Sequence, residues 1–229
     1  MAIVKKYQVT IVAIENKIEG VYTLSFSSEK GFKYSPGQFL HLAIDPEFDG
    51  SGQWPESRCF SMQSSPSEEY VRITYAIKGD FTRQMEKTLK VGSEVWLKLP
   101  YGELFEQEHK KVRTVFIAGG TGVTPFLSLF THSSFTEYTN PVLYAGFRDK
   151  TMNLYQDELE TAKKINRNLI VNIIYQNEAG MIDIEKILTD NQTDCSFFIS
   201  GPPVMIKLFK QSLIEKGVPA SNVSTDDWE

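Results

Sequence analysis

The sequence predicts two units of different fold class in series: a six-stranded antiparallel β-barrel over residues 1–108, then a doubly wound α/β unit with a parallel sheet over residues 109–229. Three observations predict it. Up to residue 108 the apolar residues form short alternating runs broken by Gly, Pro, Ser and Asp, the pattern of antiparallel strands and turns. Past the polar run 106–113 the rhythm changes to solid apolar runs followed by helical spacing, the pattern of parallel strands with crossover helices. The 229 residues, 41% hydrophobic and 12% aromatic, suffice to fill two compact cores.

In chain order, the first strand is expected over 5–15, where alternation puts Tyr7, Val9, Ile11 and Ala13 on one face. Further strands follow over 21–27, 38–44, 58–62, 70–77 and 94–99, with 45–57 the longest loop. One helix enters this half, since Phe81, Met85 and Leu89 recur at four-residue spacing behind Asp80 as N-cap. In the second half strands are expected over 114–118, 142–147, 169–175 and 196–200. The helices between them are punctuated by Thr124 as N-cap with Pro125 in the first turn, by a stripe of Tyr155, Leu159 and Ala162, and by Asp183 capping Ile184, Ile187 and Leu188. The last helix starts at Pro202 and Pro203, carries Met205, Leu208, Phe209 and Leu213, and ends at Gly217.

Composition excludes several classes. Two cysteines, Cys59 and Cys195, cannot build a disulfide scaffold or a four-thiolate cluster or zinc site, and both read as structural. A net charge of −5 is the wrong sign for a nucleic-acid partner. The amino terminus lacks the order of a signal peptide and no run is long enough to span a bilayer, so a cytoplasmic protein with no membrane span is expected. His41, His109 and His132 have no metal-ligand spacing, so no metal is expected. The acidic stretch Asp157, Glu158 and Glu160 reads as a solvated helix face.

Two glycine turns carry the chemistry of the second half. Gly119, Gly120, Thr121 and Gly122 end an apolar strand and lead into a helix start, where backbone N–H groups favour an anion such as a pyrophosphate. Ser200, Gly201 and Pro202 repeat that arrangement, and in a doubly wound sheet the two turns face one crevice. In the first half, Arg58, Phe60 and Ser61 set a cation, a ring and a hydroxyl along one strand, with Ser64 beyond. Gly79, Asp80, Phe81 and Thr82 supply a second helix start.

On these residues the chain resembles the ferredoxin–NADP⁺ reductase family. The resemblance rests on Pro36-Gly37-Gln38-Phe39, Arg58-Cys59-Phe60-Ser61-Met62-Gln63-Ser64, Gly79-Asp80-Phe81-Thr82, Pro100-Tyr101-Gly102-Glu103-Leu104-Phe105, Gly119 to Pro125, Tyr144 to Arg148, and Ser200-Gly201-Pro202-Pro203 in the family's order. It implies a flavin on the barrel and a nicotinamide nucleotide on the following unit. Arg58 would hold the flavin phosphate, Phe60 would pack on the flavin and Ser61 would approach N5; Cys59, Ser64, Tyr75, Ile77 and Gly79 to Thr82 complete that site. Gly120, Thr121, Gly122, Arg148, Ser200, Gly201 and Pro202 would hold the nucleotide. Ser200 stands where the family often has cysteine, Phe60 where it has tyrosine, and the ending with Asp226 and Trp228 resembles an acid-x-aromatic tail in which Trp228 covers the flavin and Asp226 relays a proton. The catalytic set is then Ser61, Ser200 and Asp226.

The implied function is hydride transfer from NADH or NADPH to bound FAD, with FMN less favoured, and onward transfer to a ferredoxin, flavodoxin or oxygenase component. The alternatives are reduction of free flavin as substrate and a non-catalytic flavin-binding redox sensor. Residues 175–178 offer an acid and no cation for a 2′-phosphate, which favours NADH, while Arg148 and Lys150 are the cations that would serve NADPH.

Overall fold

The structure is a computed structural model describing residues 3–29 and 31–226. Its antiparallel half contains β1 (Lys5–Ile18), β2 (Val21–Ser27), β3 (Phe39–Ala43), β4 (Ser57–Ser61), β5 (Val71–Ala76) and β6 (Glu94–Tyr101) in the order β4-β3-β6-β1-β2-β5. The two edges approach each other, because the Gln63 N–H just past β4 donates to the Arg72 carbonyl on β5 at 2.8 Å. The sheet therefore curls into a barrel. Alternation along β1 buries Tyr7, Val9 and Ile11 against Leu40, Leu42, Leu97 and Leu99. A register shift after Ile11 bends β1 and lets it run on to Ile18, past its expected end.

α1 (Asp80–Thr88) plugs this core with Phe81 and Met85. Its start differs from the sequence expectation. Gly79 is the N-cap, and Thr82 reaches back so that its Oγ1 accepts from the N–H groups of Gly79 (3.1 Å) and Lys78 (3.0 Å). Asp80 is instead the first helical residue, exposed and paired with Arg83 at 2.7 Å. An acid there suits the helix dipole without capping anything.

The second half has β7 (Thr114–Gly119), β8 (Pro141–Phe147), β9 (Ile170–Tyr175), β10 (Ser196–Ser200) and β11 (Val223–Thr225) in one parallel sheet ordered β11-β10-β7-β8-β9. Around it lie α2 (Thr124–Phe130), α3 (Gln156–Ile165), α4 (Gln176–Ala179), α5 (Ile184–Asp190) and α6 (Pro203–Glu215). Phe116 and Leu143 face Phe126 of α2 and Leu159 of α3, while Ile117 and Ile199 face Ile187 of α5 and Leu213 of α6. Both faces of the sheet are covered, which is why its strands are solidly apolar.

Asp183 caps α5 as expected, accepting from the N–H groups of Glu185 (2.9 Å) and Lys186 (3.1 Å). Thr124 does not cap α2. A 3-10 turn over Gly120–Val123 precedes that helix, Val123 takes the cap position, and Thr124 Oγ1 donates to the Thr121 carbonyl at 2.9 Å. On α6 the expected stripe is shifted, because Leu208 is 57% exposed while Ile206 and Leu213 are buried with Phe209 beside them.

Between the sheets, Leu104 and Phe105 insert among Phe116, Phe126 and Phe198, with the Phe105 and Phe198 rings 5.0 Å apart. His109 follows, its Nε2 2.7 Å from the Tyr138 hydroxyl and its ring edge-on to Phe198. Burial, aided by Lys111, holds the His109 imidazole below its ordinary value of 6.5. A histidine kept neutral by the fold contributes stability that is complete above pH 6.5 and is lost as the pH falls below that value. The thermal midpoint is therefore expected to drop between about pH 7.5 and about pH 5.5, and His109→Gln to flatten that slope in scanning calorimetry.

Candidate active site between the barrel and the parallel sheet

The strand order reverses between β7 and β10, so the segments leaving their carboxyl ends diverge and open a crevice, the usual ligand position of such sheets. These segments are the two glycine turns, and they interlock backbone against backbone. A Cβ on Gly122 would lie 2.5 Å from Gly201 Cα and 2.5 Å from the Ser200 carbonyl oxygen. A Cβ on Gly119 would lie 2.8 Å from Pro202 Cδ, and Gly201 itself has φ +148°. Close packing of one turn on the other thus explains Gly119, Gly122 and Gly201. Gly120 differs: it has φ +56° and open space before it, as a turn presenting backbone to a ligand needs.

At this crevice the barrel meets the parallel sheet through a carboxylate. Asp226, held at the end of β11 by its N–H on the Ile199 carbonyl (2.9 Å), accepts on Oδ2 from Ser200 Oγ at 3.0 Å and from Ser61 Oγ at 3.3 Å. Ser61 and Ser200 are 7% and 2% exposed, so both hydroxyls are fixed in position. The three residues named as catalytic, far apart in sequence and drawn from both halves, are brought together. Trp228 lies outside the described residues.

On the barrel side, Arg58 lies exposed on β4 with its guanidinium carbon 5.0 Å from the Phe81 ring centroid. This places the cation beside the first turn of α1, which follows Gly79. Arg58 also donates to Glu56 (2.7 Å) and to the Ser57 carbonyl (2.9 Å), so an anion here shares the cation with a carboxylate. Phe60 is 9% exposed and lies 6.0 Å from Tyr75, which stacks on Tyr22; burial raises the Tyr75 phenol. Ile77 is half-buried, its N–H bonded to the Gly20 carbonyl. Cys59 points to the other side, with Sγ 3.5 Å from His41 Nε2, and burial raises its thiol. Ser64 is fully buried, and its hydroxyl bonds Tyr34 (2.9 Å) and accepts from the Arg72 N–H (3.0 Å).

Arg148 stands exposed at the end of β8, and its carbonyl accepts from the Asn177 N–H. Lys150, the other cation named there, is paired with Glu178 at 3.1 Å.

Sequence reasoning missed one set of residues. Glu158 is not part of a solvated face: its side chain is 15% exposed, and Oε1 accepts from Gln63 Nε2 (2.9 Å) and Arg72 Nη1 (3.2 Å) across the two halves. The signal was present, since Glu158 stands three residues after Tyr155 and one before Leu159, on the inward side of α3. Cavities of about 240 and 420 Å³ lie elsewhere, the first beside Arg113 and Cys195, the second beside Arg72 and Glu158. The site is marked by converging polar groups. Among the described residues no His, Cys, Asp and Glu cluster could hold a metal ion, and no helix is long and apolar enough to cross a membrane.

Residues 116–211 match the family model of the oxidoreductase NAD-binding domain. The reductase component of propane 2-monooxygenase from Rhodococcus jostii (strain RHA1) is 29% identical over 218 residues, which are 86% of this chain and 56% of that protein. Flavohemoprotein A from Dictyostelium discoideum is 26% identical over 205 residues, 83% of this chain and 51% of that protein. The chain thus spans little more than half the length of these curated relatives. In fold it is similar over both halves to a ferredoxin NADP⁺ reductase from Neisseria gonorrhoeae solved with FAD and NADP, with TM-score 0.81, 15% identity, and 99% of each chain covered. The chain shares the two-part fold of that reductase. In fold it is also similar to the FAD/NAD-binding domain of nitric oxide dioxygenase from Vibrio cholerae O1 biovar El Tor, with TM-score 0.79 at 17% identity, covering 97% of this chain and 98% of that one. In this chain the seam between the barrel and the parallel sheet passes through Ser61, Asp226 and Ser200.

Proposed function

We propose that this chain is an NAD(P)H-dependent flavoprotein reductase that moves hydride to FAD on the barrel and passes electrons to an acceptor beyond it, its two working units dividing at residues 108 and 109. The observation that carries the reading is the convergence of Ser61, from the strand bearing Arg58 and Phe60, with Ser200, from the turn facing Gly120 to Gly122, on one carboxylate. The NAD-binding domain match and the reductase components among the relatives support it.

The residues present fit the group. The first-turn N–H groups of α1 lack intrahelical acceptors, Gly79 has open space where a side chain would stand, and Arg58 supplies the cation beside them, which together suit a phosphate. Phe60, two residues beyond Arg58 on the same strand, offers an apolar ring. The FAD in the Neisseria gonorrhoeae structure supports FAD over FMN. When bound, the flavin supplies the hydride acceptor and the one- and two-electron chemistry. The chain's own part is positioning. Asp226, by accepting from both serines on one oxygen, fixes the position of each hydroxyl: Ser61 on the barrel side of the seam, Ser200 on the parallel-sheet side. Gly120 and Thr121 would offer backbone donors to the nucleotide phosphates, in a turn held rigid by its packing on the Ser200–Pro202 turn.

Ser61→Ala is expected to slow single-turnover flavin reduction by about 10²-fold while leaving flavin content unchanged, as measured by anaerobic stopped flow and by absorbance after gel filtration. An unchanged rate would remove Ser61 from the mechanism. The Lys150–Glu178 pair places an acid where a ribose diol would be recognised and neutralises a cation that a 2′-phosphate would need, so NADH is the expected donor. A kcat/KM for NADH above that for NADPH is the expected outcome, and Glu178→Gln, which frees Lys150, is expected to narrow the ratio.

A further inference from the structure

We infer that Glu158 is a positioning residue for hydride transfer, holding the parallel-sheet half in register with the segment that carries Ser61. The inference rests on the reductase reading and adds to it a residue that lies outside the crevice.

Segment 61–64 is gripped at both ends by the other half of the molecule. At one end Ser61 bonds Asp226. At the other, Ser128 Oγ on α2 donates to the Ser64 carbonyl at 2.7 Å, and the Gln63 side chain reaches Glu158 on α3. Gln63 cannot swing, because its Oε1 accepts from Thr74 Oγ1 at 2.6 Å while its Nε2 donates to Glu158 at 2.9 Å. Its backbone N–H is also committed to the Arg72 carbonyl. Arg72 completes the set by donating to Glu158 through Nη1 (3.2 Å) and to Glu68 through Nη2 (2.8 Å).

These partners are sheltered: Gln63 is 3% exposed, Ser64 and Ser128 are fully buried, and the Glu158 side chain is 15% exposed. A charged acceptor in such surroundings binds its donors more strongly than at a surface, and its loss leaves the buried Gln63 amide without its acceptor while Arg72 keeps only Glu68. Gln63 follows Ser61 by two residues, so the grip acts within about 7 Å of backbone from the hydroxyl whose position matters. Hydride transfer is steeply sensitive to donor–acceptor placement, since a misplacement of about 1 Å can cost 10²-fold. The phosphate contacts proposed for the flavin lie at Arg58 and the start of α1, whose hydrogen bonds run to Glu56, the Ser57 carbonyl and Thr82 and not to Glu158.

The test uses the full chain reconstituted with FAD, as wild type, Glu158→Ala, Glu158→Gln, Glu158→Asp, Gln63→Ala and the Glu158→Ala/Gln63→Ala double variant. Glu158→Ala is expected to slow single-turnover reduction by NADH about tenfold, with flavin retention and the half-saturating NADH concentration within about twofold of wild type. Glu158→Gln keeps an oxygen at the same reach for Gln63 and should recover most of the rate, whereas the shorter Glu158→Asp should not. The double variant should be no slower than the slower single one, the non-additivity of groups acting through one contact. Independently of activity, backbone amides in 61–65 of the flavin-free Glu158→Ala chain should exchange hydrogen about tenfold faster than in wild type.

A wild-type rate in Glu158→Ala overturns the inference, and so does a loss that follows thermal stability equally in the Gln and Asp variants. If wild type itself is not reduced by NADH or NADPH, the reductase reading fails, and the exchange measurement alone then decides whether the grip exists.

Discussion

Gly122→Ala is expected to abolish nucleotide-dependent flavin reduction while leaving the barrel folded and able to take up flavin. The added Cβ would meet Gly201 Cα at 2.5 Å, the Ser200 carbonyl oxygen at 2.5 Å and Gly201 N at 2.6 Å. All three are backbone atoms of the facing turn, so no side chain can rotate away. One turn must move, and Ser200 and its bond to Asp226 move with it. Overpacking of this kind costs about 1–3 kcal/mol where the structure yields and more where it does not. A displacement of about 1 Å at the nicotinamide would by itself remove about two orders of magnitude of rate. Gly120→Ala is the control. It meets nothing within 4 Å and loses only the ease of adopting φ +56°, a cost of about 1–2 kcal/mol. Isothermal titration with NAD⁺ together with anaerobic stopped flow separates the two: the Gly122 variant is expected to fail in both, the Gly120 variant to bind more weakly and still turn over.

Asp226→Ala is expected to lower the flavin-reduction rate by about 10²- to 10³-fold. Both serine hydroxyls donate to this carboxylate, so its removal releases the hydrogen-bonding group on each side of the hydride path. Because Ser61 and Ser200 are 7% and 2% exposed, each must also find a new acceptor in a confined space, at a cost of about 1–3 kcal/mol apiece. Asp226→Asn keeps an oxygen acceptor without the charge and should lose less, about tenfold. Stopped-flow reduction of the two variants, with thermal midpoints alongside, distinguishes orientation from charge. Equal rates for Ala, Asn and wild type would detach Asp226 from the mechanism.

The sequence carried the architecture further than the ends of its elements. Alternation identified the barrel strands because a half-exposed strand has a polar and an apolar side, and solid apolar runs identified β7 to β10 because both faces of that sheet are covered. β11 escaped because three residues are too few to show a period. The starts of α1 and α2 were misassigned for a related reason: Asp80 and Thr124 are good capping types, but Thr82 reaching back and the turn at Gly120–Val123 satisfy the backbone in their place. At the site, the motifs named Ser61, Ser200 and Asp226, and only the third dimension placed all three on one oxygen. The glycines were legible as turn residues, but that Gly122 is required by the facing turn is a property of two strands far apart in sequence, Thr114 pairing with Ser196 and Ala118 with Ser200, packing together. Glu158 was misread by its chemical type, when its spacing from Tyr155 and Leu159 put it on the inward side of α3.

The central claim is that hydride from a nicotinamide nucleotide reaches a flavin held by this chain. The direct measurement is the visible spectrum of the FAD-reconstituted protein after gel filtration, recorded without oxygen as NADH and then NADPH are added. A flavin spectrum that stays with the protein and bleaches with a stoichiometric amount of NADH is the result the account predicts. A protein that stays colourless after incubation with FAD, or one that stays yellow in the presence of both nucleotides, would contradict it.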